Sequence, residues 1–143
     1  MKQEPAARIA QKIATDCLAV RVRRLGRVVS RIYDAALAPH GVTIAQLNLL
    51  AAIGAMEESS RGRLCQALDM EKSTLSRDLK RMEQLGWIRS SPGRGKGIAI
   101  TPAGSRLLTE ARPSWEKAQQ AALAELGRSA FAQLRQLLPP PGG

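Results

Sequence analysis

The sequence has few aromatic and few chemically reactive side chains. Only 3% of its 143 residues are aromatic, and it has two cysteines and one histidine. Cys17 and Cys65 fit neither a zinc-ligand spacing nor a disulfide framework. His40 lies in a Pro-Gly turn, where no acid–base pair or nucleophile can be assembled around it. We therefore expect no metal, no cofactor and no enzymatic activity.

Long apolar runs are also lacking. No stretch approaches the ~20 residues that span a bilayer, and residues 1–14 carry charges instead of the apolar segment of a signal peptide. A reducing cytoplasm is the compartment we expect. The chain is long enough for one domain with a core. Since 44% of the residues are hydrophobic but few are aromatic, that core must consist of Leu, Ile, Ala and Val.

Acidic residues are outnumbered: 12 Asp and Glu face 22 Lys and Arg, which gives a net charge of +10. Residues 61–96 contain nine basic and four acidic residues, so this window alone carries +5. Such an excess favours a polyanionic partner.

The stretch 71–86 has the pattern of an amphipathic helix. Its apolar residues recur at steps of four, three and three, which predicts one buried stripe: Leu75, Leu79, Met82 and Leu85. The opposite face gathers polar and basic residues: Ser73, Arg77, Lys80 and Gln84. Glu71 stands at the N-cap position, and Gly86 ends the helix.

A shorter helix precedes this stretch. Ser60 is its predicted N-cap, Leu64 and Leu68 its buried residues, and Asp69-Met70 a tight turn into the next helix. A short helix, a tight turn and a longer helix with hydroxyls and Arg at its start are typical of a helix-turn-helix, whose second helix lies in a DNA major groove.

After Gly86 the hydrophobic period changes from helical to alternating. Residues 87–90 and 98–101 read as two short strands, joined by the glycine-rich loop 91–97. This loop lacks the Gly-x-x-x-x-Gly-Lys-Ser/Thr spacing of a phosphate-binding loop. We interpret the segment as a β-hairpin wing.

Helices flank this lobe on both sides. Residues 6–38 are predicted as one long helix with a heptad-like apolar seam and arginine-rich flanks. Thr43 caps a helix from Ile44 to Ala55, with Leu47, Leu50 and Ala51 facing inward, and residues 57–59 form an exposed connection. Thr101-Pro102 starts another long helix. That helix runs to about Leu126, and a short helix spans residues 128–138.

The predicted fold is therefore mainly α, with a winged helix-turn-helix lobe at residues 42–101. Residues 1–41 and 102–138 form a dimerisation region of long N- and C-terminal helices, and residues 139–143 a disordered tail.

From about Asp16 to Leu138 the chain resembles the MarR family of winged-helix transcriptional regulators. Five short motifs in order carry the resemblance: residues 33–37 (YDAAL), 43–47 (TIAQL), 72–77 (KSTLSR), 85–88 (LGWI) and 100–104 (ITPAG). The resemblance implies a homodimer with interlocking terminal helices, which binds pseudo-palindromic double-stranded DNA, usually as a repressor, and is released by a small molecule or thiol oxidation.

Carried over by position, the resemblance assigns Lys72, Ser73, Thr74, Ser76, Arg77 and Lys80 to the major groove or its phosphates, and Arg94 to the minor groove. By residue chemistry, Arg61, Arg63, Lys72, Lys80 and Lys96 can neutralise phosphates, and Arg77 suits a bidentate guanine contact. One departure concerns the wing: the family's aspartate before the wing arginine is replaced here by glycines and Pro92, so Arg94 is expected to be less rigid.

The family's usual effector pocket implies a set of lining residues between the dimer helices and the lobes: Cys17, Arg21, Leu25, Tyr33, Trp115 and Gln119. Alternatively these are interface and core residues. Because Arg21 and Arg24 follow Cys17 by one and two turns, the thiol could instead be an oxidisable sensor, or a buried filler.

Two rival functions share some of these features. A less specific RNA-binding or nucleoid-coating protein would have the same charge but little preference for a palindrome. A helical dimerisation protein without a nucleic-acid role would leave the basic window at 61–96 unexplained.

Overall fold

The computed structural model describes residues 5–57, 59–91 and 97–140. Within them the α-helices are α1 (Ala6–Asp16), α2 (Leu18–Leu37), α3 (Ile44–Ala55), α4 (Arg61–Leu68), α5 (Lys72–Gln84), α6 (Pro102–Leu126) and α7 (Arg128–Leu137). A 3-10 turn, Ala38–His40, links α2 to α3, and the strands are β1 (Ile88–Ser90) and β2 (Ile98–Ile100). The prediction of a mainly α fold with a small hairpin wing is confirmed.

The prediction of one continuous helix over residues 6–38 is wrong. The helix breaks at Cys17, whose backbone is extended (φ −67°, ψ 121°), so that this residue ends α1 and caps α2. Asp16 and Cys17 are both weak helix formers. Because α1 buries no residue of its own, no packing within the chain holds it collinear with α2.

Side-chain caps fix the starts of three helices. Thr43 and Gln46 form a reciprocal capping box at α3. The Ser60 hydroxyl accepts from the Arg63 N–H at 3.2 Å, and the Thr101 hydroxyl accepts from the Gly104 N–H at 3.1 Å. The predicted caps Thr43, Ser60 and Thr101 are therefore confirmed, whereas Glu71 occupies the N-cap position of α5 without a side-chain bond.

The core lies within the lobe and reaches into α2 and α6. Its largest fully buried side chains are Leu37, Leu50, Leu64, Leu75, Leu79 and Met82. Three expected core residues are more exposed than predicted. Ala51 is exposed, and Ile53 lies inward instead; Leu68 is half-buried. Leu85 is 36% exposed, because α5 ends one residue earlier and Leu85 is its C-cap.

The wing is a two-stranded antiparallel sheet in which Ile88 pairs with Ile100 and Ser90 with Ile98. Ser59 adds a bridge on the other side of Ile98: the Ile98 N–H donates to the Ser59 carbonyl at 2.8 Å, and the Ser59 hydroxyl donates to the Ile98 carbonyl. Ser59 is 3% exposed. The expectation of an exposed connection at residues 57–59 is therefore wrong for Ser59, since pairing with the wing covers it.

The terminal helices leave apolar side chains uncovered. α2 packs along α6 and also contacts α3, but α1 and α7 bury no residue. Among the described residues, nine of the ten exposed large hydrophobic side chains lie in or directly beside α1, α2 and α7: Ile9, Ile13, Leu18, Val22, Leu25, Val28, Leu134, Leu137 and Leu138. The lobe, by contrast, is closed around its own core.

Candidate nucleic-acid interface

The turn between α4 and α5 sets the direction of the exposed helix. Asp69 adopts a left-handed conformation with φ 51°, which Asp tolerates better than most residues, and the Met70 N–H donates to the Cys65 carbonyl at 3.0 Å. α4 thus ends abruptly, and three residues separate it from α5. Cys65 is half-buried and packs against the core, as a small hydrophobe between the two helices.

The two faces of α5 are chemically distinct. Leu75, Leu79 and Met82 are at most 2% exposed and anchor the helix in the core. The outward face carries exposed polar and basic side chains: Lys72, Ser73, Ser76, Arg77 and Lys80. Thr74 is half-buried at the margin. Such a face is both cationic and rich in hydrogen-bond donors, as DNA-reading helices are.

One hydrogen bond joins α4 to this face. The Arg61 Nη1 donates to the Ser76 Oγ at 3.0 Å. Because the hydroxyl then accepts from a guanidinium, its own proton is directed outward and can donate to a phosphate or base acceptor. Arg63 is exposed on the same short helix. Sequence reasoning named Arg61 and Ser76 separately but did not predict that they are partners.

The wing is fastened to the end of α5. The Glu83 Oε1 accepts from the Ser90 N–H at 3.1 Å, and the Thr101 hydroxyl donates to the Gly86 carbonyl at 2.6 Å. Glu83 was not singled out from the sequence, since a surface glutamate at the end of a helix gives no signal of its own. The predicted wing cations Arg94 and Lys96 lie outside the described residues.

One side-chain hydrogen bond connects α2 to the lobe, and another connects the turn before α3 to α6. The Asp34 Oδ1 on α2 accepts from the Ile44 N–H at 2.7 Å, which satisfies a free donor at the start of α3. His40 Nε2 lies 2.9 Å from the Ser114 Oγ on α6. A rotation of α2 or α6 would therefore displace the start of α3, at the base of the lobe.

The residues expected to line an effector pocket are only partly brought together. The Tyr33 hydroxyl hydrogen-bonds the Gln119 Oε1, burial raises the pKa of Tyr33, and Trp115 packs against the core nearby in α6. Cys17 precedes Tyr33 by sixteen residues, which is about 24 Å along a helix. Within one chain, a single small ligand cannot touch both.

Cys17 and Arg21 form a separate group at the start of α2. The Arg21 Nη1 donates to the Cys17 carbonyl at 3.5 Å. Backbone N–H groups of Val20 and Ala19 lower the pKa of the half-exposed Cys17 thiol below its ordinary value, as the free donors at a helix N-terminus stabilise a thiolate. Partial burial opposes this pKa shift, and the charges of Arg23 and Arg21 add to it.

A wide cleft of about 1,090 Å³ lies between α3 and α4. It was not predicted, because its alanines carry no sequence signal. Its walls are largely small and apolar, with four polar side chains: Asn48, Glu57, Arg63 and Gln66. No single helix in the described ranges is both long and apolar enough to cross a membrane; only Leu18–His40 and Ile44–Ala55 together, bent by 78°, reach that length and composition.

The fold and the exposed α5 face define a winged helix-turn-helix protein. A model of the MarR family matches residues 40–97, a range that includes α3, α4, α5 and β1 and ends just before β2. No curated protein sequence shows significant similarity.

Solved structures extend the likeness over most of the chain. The transcriptional regulator MosR of M. tuberculosis is 31% identical, with 87% of this chain and 96% of MosR covered and a TM-score of 0.74. MosR in complex with DNA is 30% identical, with 85% and 97% covered and a TM-score of 0.72. A cysteine-to-serine variant of E. coli MarR with operator DNA shares the fold at 21% identity, with 89% and 94% covered and a TM-score of 0.77. The chain belongs to the MarR family of DNA-binding transcription regulators.

Proposed function

We propose that the chain is a homodimeric repressor that places α5 of each subunit in successive major grooves of a pseudo-palindromic duplex. The observation that carries the proposal is the exposed, cationic and hydroxyl-rich face of α5, held by a buried stripe on its opposite side. MosR and E. coli MarR have been solved on DNA, which supports the same partner here. The proposal also places the protein in the cytoplasm, bound to the nucleoid when it occupies its DNA site.

The division of labour follows from side-chain chemistry. Lys72, Lys80, Arg61 and Arg63 neutralise phosphates, so the affinity falls steeply with salt. Arg77 supplies the bidentate guanine contact, while three hydroxyl residues contribute smaller contacts: Ser73, Thr74 and Ser76. We assign Arg94 to the minor groove, as the family resemblance implies, and Lys96 to the phosphates because of its charge.

Dimerisation supplies the second half of the interface. The uncovered apolar side chains of α1, α2 and α7 form the kind of surface that a partner subunit buries. Two subunits related by a twofold axis present two α5 helices. These helices read half-sites together when they stand about one DNA turn apart, roughly 34 Å.

Release by a small effector fits the junction of α2 and α6. Tyr33 and Gln119 already share a hydrogen bond there, and Asp34, next in the chain, caps α3 of the lobe. A ligand that replaces the tyrosine–glutamine bond would shift α2 against α6 and thereby change the spacing of the two lobes. It acts only if it binds the two arrangements with different affinity.

Thiol oxidation is a second mode of release, and the position of Cys17 favours it. Cys17 is half-buried and occupies the N-cap position of α2, between helices that carry the uncovered apolar surface. Oxidation there would add a polar group to the proposed dimer region. A Cys17→Ser variant whose DNA binding stays peroxide-sensitive would eliminate this mode.

The experiment that tests the function is selection of bound duplexes from a random pool. The proposal predicts enrichment of one inverted repeat, and loss of enrichment in the presence of the effector or oxidant that releases the protein. Recovery of unrelated sequences at similar affinity would instead indicate a nucleoid-coating protein.

A further inference from the structure

α2 carries a positive charge that the DNA-binding lobe does not use. Between Leu18 and Tyr33 there are five arginines and no aspartate or glutamate. On a solvated helix, basic residues usually alternate with acids that form pairs one turn away. Here the like charges at steps of four repel one another along the exposed helix.

Three of these arginines share one side of the helix. Arg23, Arg27 and Arg31 recur at steps of four residues, which aligns them over about 12 Å. Together with Gly26 and Ser30 they line a surface groove of about 450 Å³. We call these five residues the α2 arginine groove.

The floor of the groove is open. A Cβ placed on Gly26 would meet no other atom within 4 Å, so this glycine is not needed for close packing within the chain, although glycine weakens a helix interior. Its effect is to leave a gap between the flanking arginine side chains. Ser30, one turn further on, is half-buried and places a hydroxyl in the same gap.

The polar groups of the groove make no side-chain hydrogen bond or ion pair within the described part of the chain. Within residues 5–57, 59–91 and 97–140, one salt bridge is seen, between Arg112 and Glu116. In the same ranges no carboxylate forms a salt bridge or hydrogen bond with Arg23, Arg27 or Arg31. The Ser30 hydroxyl likewise makes no hydrogen bond within those ranges. Three guanidiniums and one hydroxyl donor thus line the same groove.

We propose that the α2 arginine groove binds a small phosphate-bearing molecule, such as a nucleotide or a coenzyme with several phosphate groups. Guanidinium forks match phosphate oxygens and can bind them bidentately, and three such groups in a row suit several negative charges better than one. The gap at Gly26 lets a phosphate approach the helix, where Ser30 donates to it.

Duplex DNA fits the groove less well than a small phosphate. α2 packs on α6 and α3, whereas the cations proposed for DNA lie on α4, α5 and the wing. The groove is also short, about two helical turns. Tyr33, which bonds Gln119 of α6, follows Ser30 by three residues, so the groove ends beside the α2–α6 junction.

Isothermal titration of the full-length protein at physiological salt tests the proposal, with ATP and coenzyme A as probes and adenosine as the uncharged control. We expect saturable binding of a phosphate probe with one site per chain. The triple variant Arg23→Gln, Arg27→Gln, Arg31→Gln should weaken that binding at least tenfold. Gly26→Leu, which fills the gap without changing charge, should weaken it several-fold.

A charge-matched variant is the control: Arg106→Gln, Lys117→Gln, Arg128→Gln removes three exposed cations from α6 and α7 and should leave the affinity within twofold. Equal losses in both triple variants, adenosine binding as tightly as ATP, or the absence of saturable binding would each overturn the proposal. The proposal would also be overturned if the groove variant lost DNA affinity by the same factor as phosphate-probe affinity, since the groove would then bind duplex. Dissociation of that variant into monomers would overturn it as well, since the groove would then contact a partner subunit. Failure of DNA recognition alone leaves this direct binding test unaffected.

Discussion

At the scale of single residues, Arg77 and Lys80 lie on the same exposed face of α5 but differ in what they can recognise. A guanidinium presents two parallel N–H donors that match the O6 and N7 acceptors of guanine, whereas an ammonium is a point charge without directional preference. The proposed function therefore assigns sequence preference to Arg77 and general affinity to Lys80.

Arg77→Ala should reduce the ratio of specific to random-duplex affinity, by a factor corresponding to about 1–3 kcal/mol. Lys80→Ala should weaken both duplexes alike and lower the salt slope of binding by about 1. Both are measured by titration with fluorescent duplexes at several salt concentrations. An unchanged specificity ratio for Arg77→Ala removes its proposed role, with Lys80→Ala as the matched control on the same helix.

The Cys17 thiol gives a prediction about pH. Because the N–H groups at the start of α2 lower its pKa, the reactive thiolate is populated at lower pH than in an ordinary cysteine. The alkylation rate of Cys17 by iodoacetamide should therefore reach half its maximum at lower pH in the folded protein than in the denatured chain. Mass spectrometry of the labelled peptide resolves Cys17 from Cys65. If the folded profile coincides with the denatured one, or lies at higher pH, the N–H groups at the start of α2 do not lower the pKa of the thiol.

At the scale of elements, the sequence predicted those parts in which local and tertiary signals agree. The buried stripe of α5, the Asp69 turn and the caps Thr43, Ser60 and Thr101 follow from period, turn chemistry and capping. The alternating residues on both sides of the wing loop likewise predicted the strand pair. These signals defined the lobe and the exposed face of α5.

Elements that depend on long-range contacts were missed. The burial of Ser59 results from pairing with Ile98, which is 39 residues away in the chain. Glu83 becomes informative only when the Ser90 N–H is seen to bind it. The break at Cys17 was missed because the hydrophobic seam continues across it, so periodicity alone predicts one helix. Cys17 and Tyr33, both proposed for the pocket, are separated because they lie near opposite ends of α2. The sequence pattern alone did not indicate that distance.

Gly104 joins the wing to α6 and tests how tightly these elements pack. A Cβ on Gly104 would overlap the carbonyl oxygen of Trp87 and crowd the Ile100 side chain at 2.8 Å. Gly104→Ala should therefore destabilise the fold by about 1–3 kcal/mol, as measured by urea denaturation.

Gly26→Ala is the matched control for that prediction, because the α2 position is helical and open. It should stabilise the fold by roughly 0.5–1 kcal/mol. If both alanine variants changed the free energy of unfolding equally, the close approach of α6 to the wing would not exist in solution.

At the scale of the whole molecule, the uncovered apolar side chains of the terminal helices are the surface that the proposed dimer would bury. Ile13 and Val22 are each 57% exposed, so a change at either position disturbs few contacts within one chain. In a dimer that buries both, a carboxylate at either position would be desolvated, which costs free energy.

The double variant Ile13→Asp, Val22→Asp should therefore shift the protein from dimer to monomer and remove high-affinity operator binding. Light scattering after size exclusion measures the first effect, and circular dichroism checks that the lobe stays folded. The double threonine variant at the same positions is the polar, uncharged control and should retain more dimer. A wild-type protein that is monomeric at micromolar concentration would contradict the proposed assembly.

The central claim is that one dimer reads two half-sites through two α5 helices held at a fixed spacing. Its most direct test is a gel-shift titration of the selected operator against the same operator with five base pairs inserted between its half-sites, which rotates one half-site by half a turn of the duplex. We expect an affinity at least about a hundredfold weaker for the interrupted operator. Equal affinity for the two duplexes would contradict it.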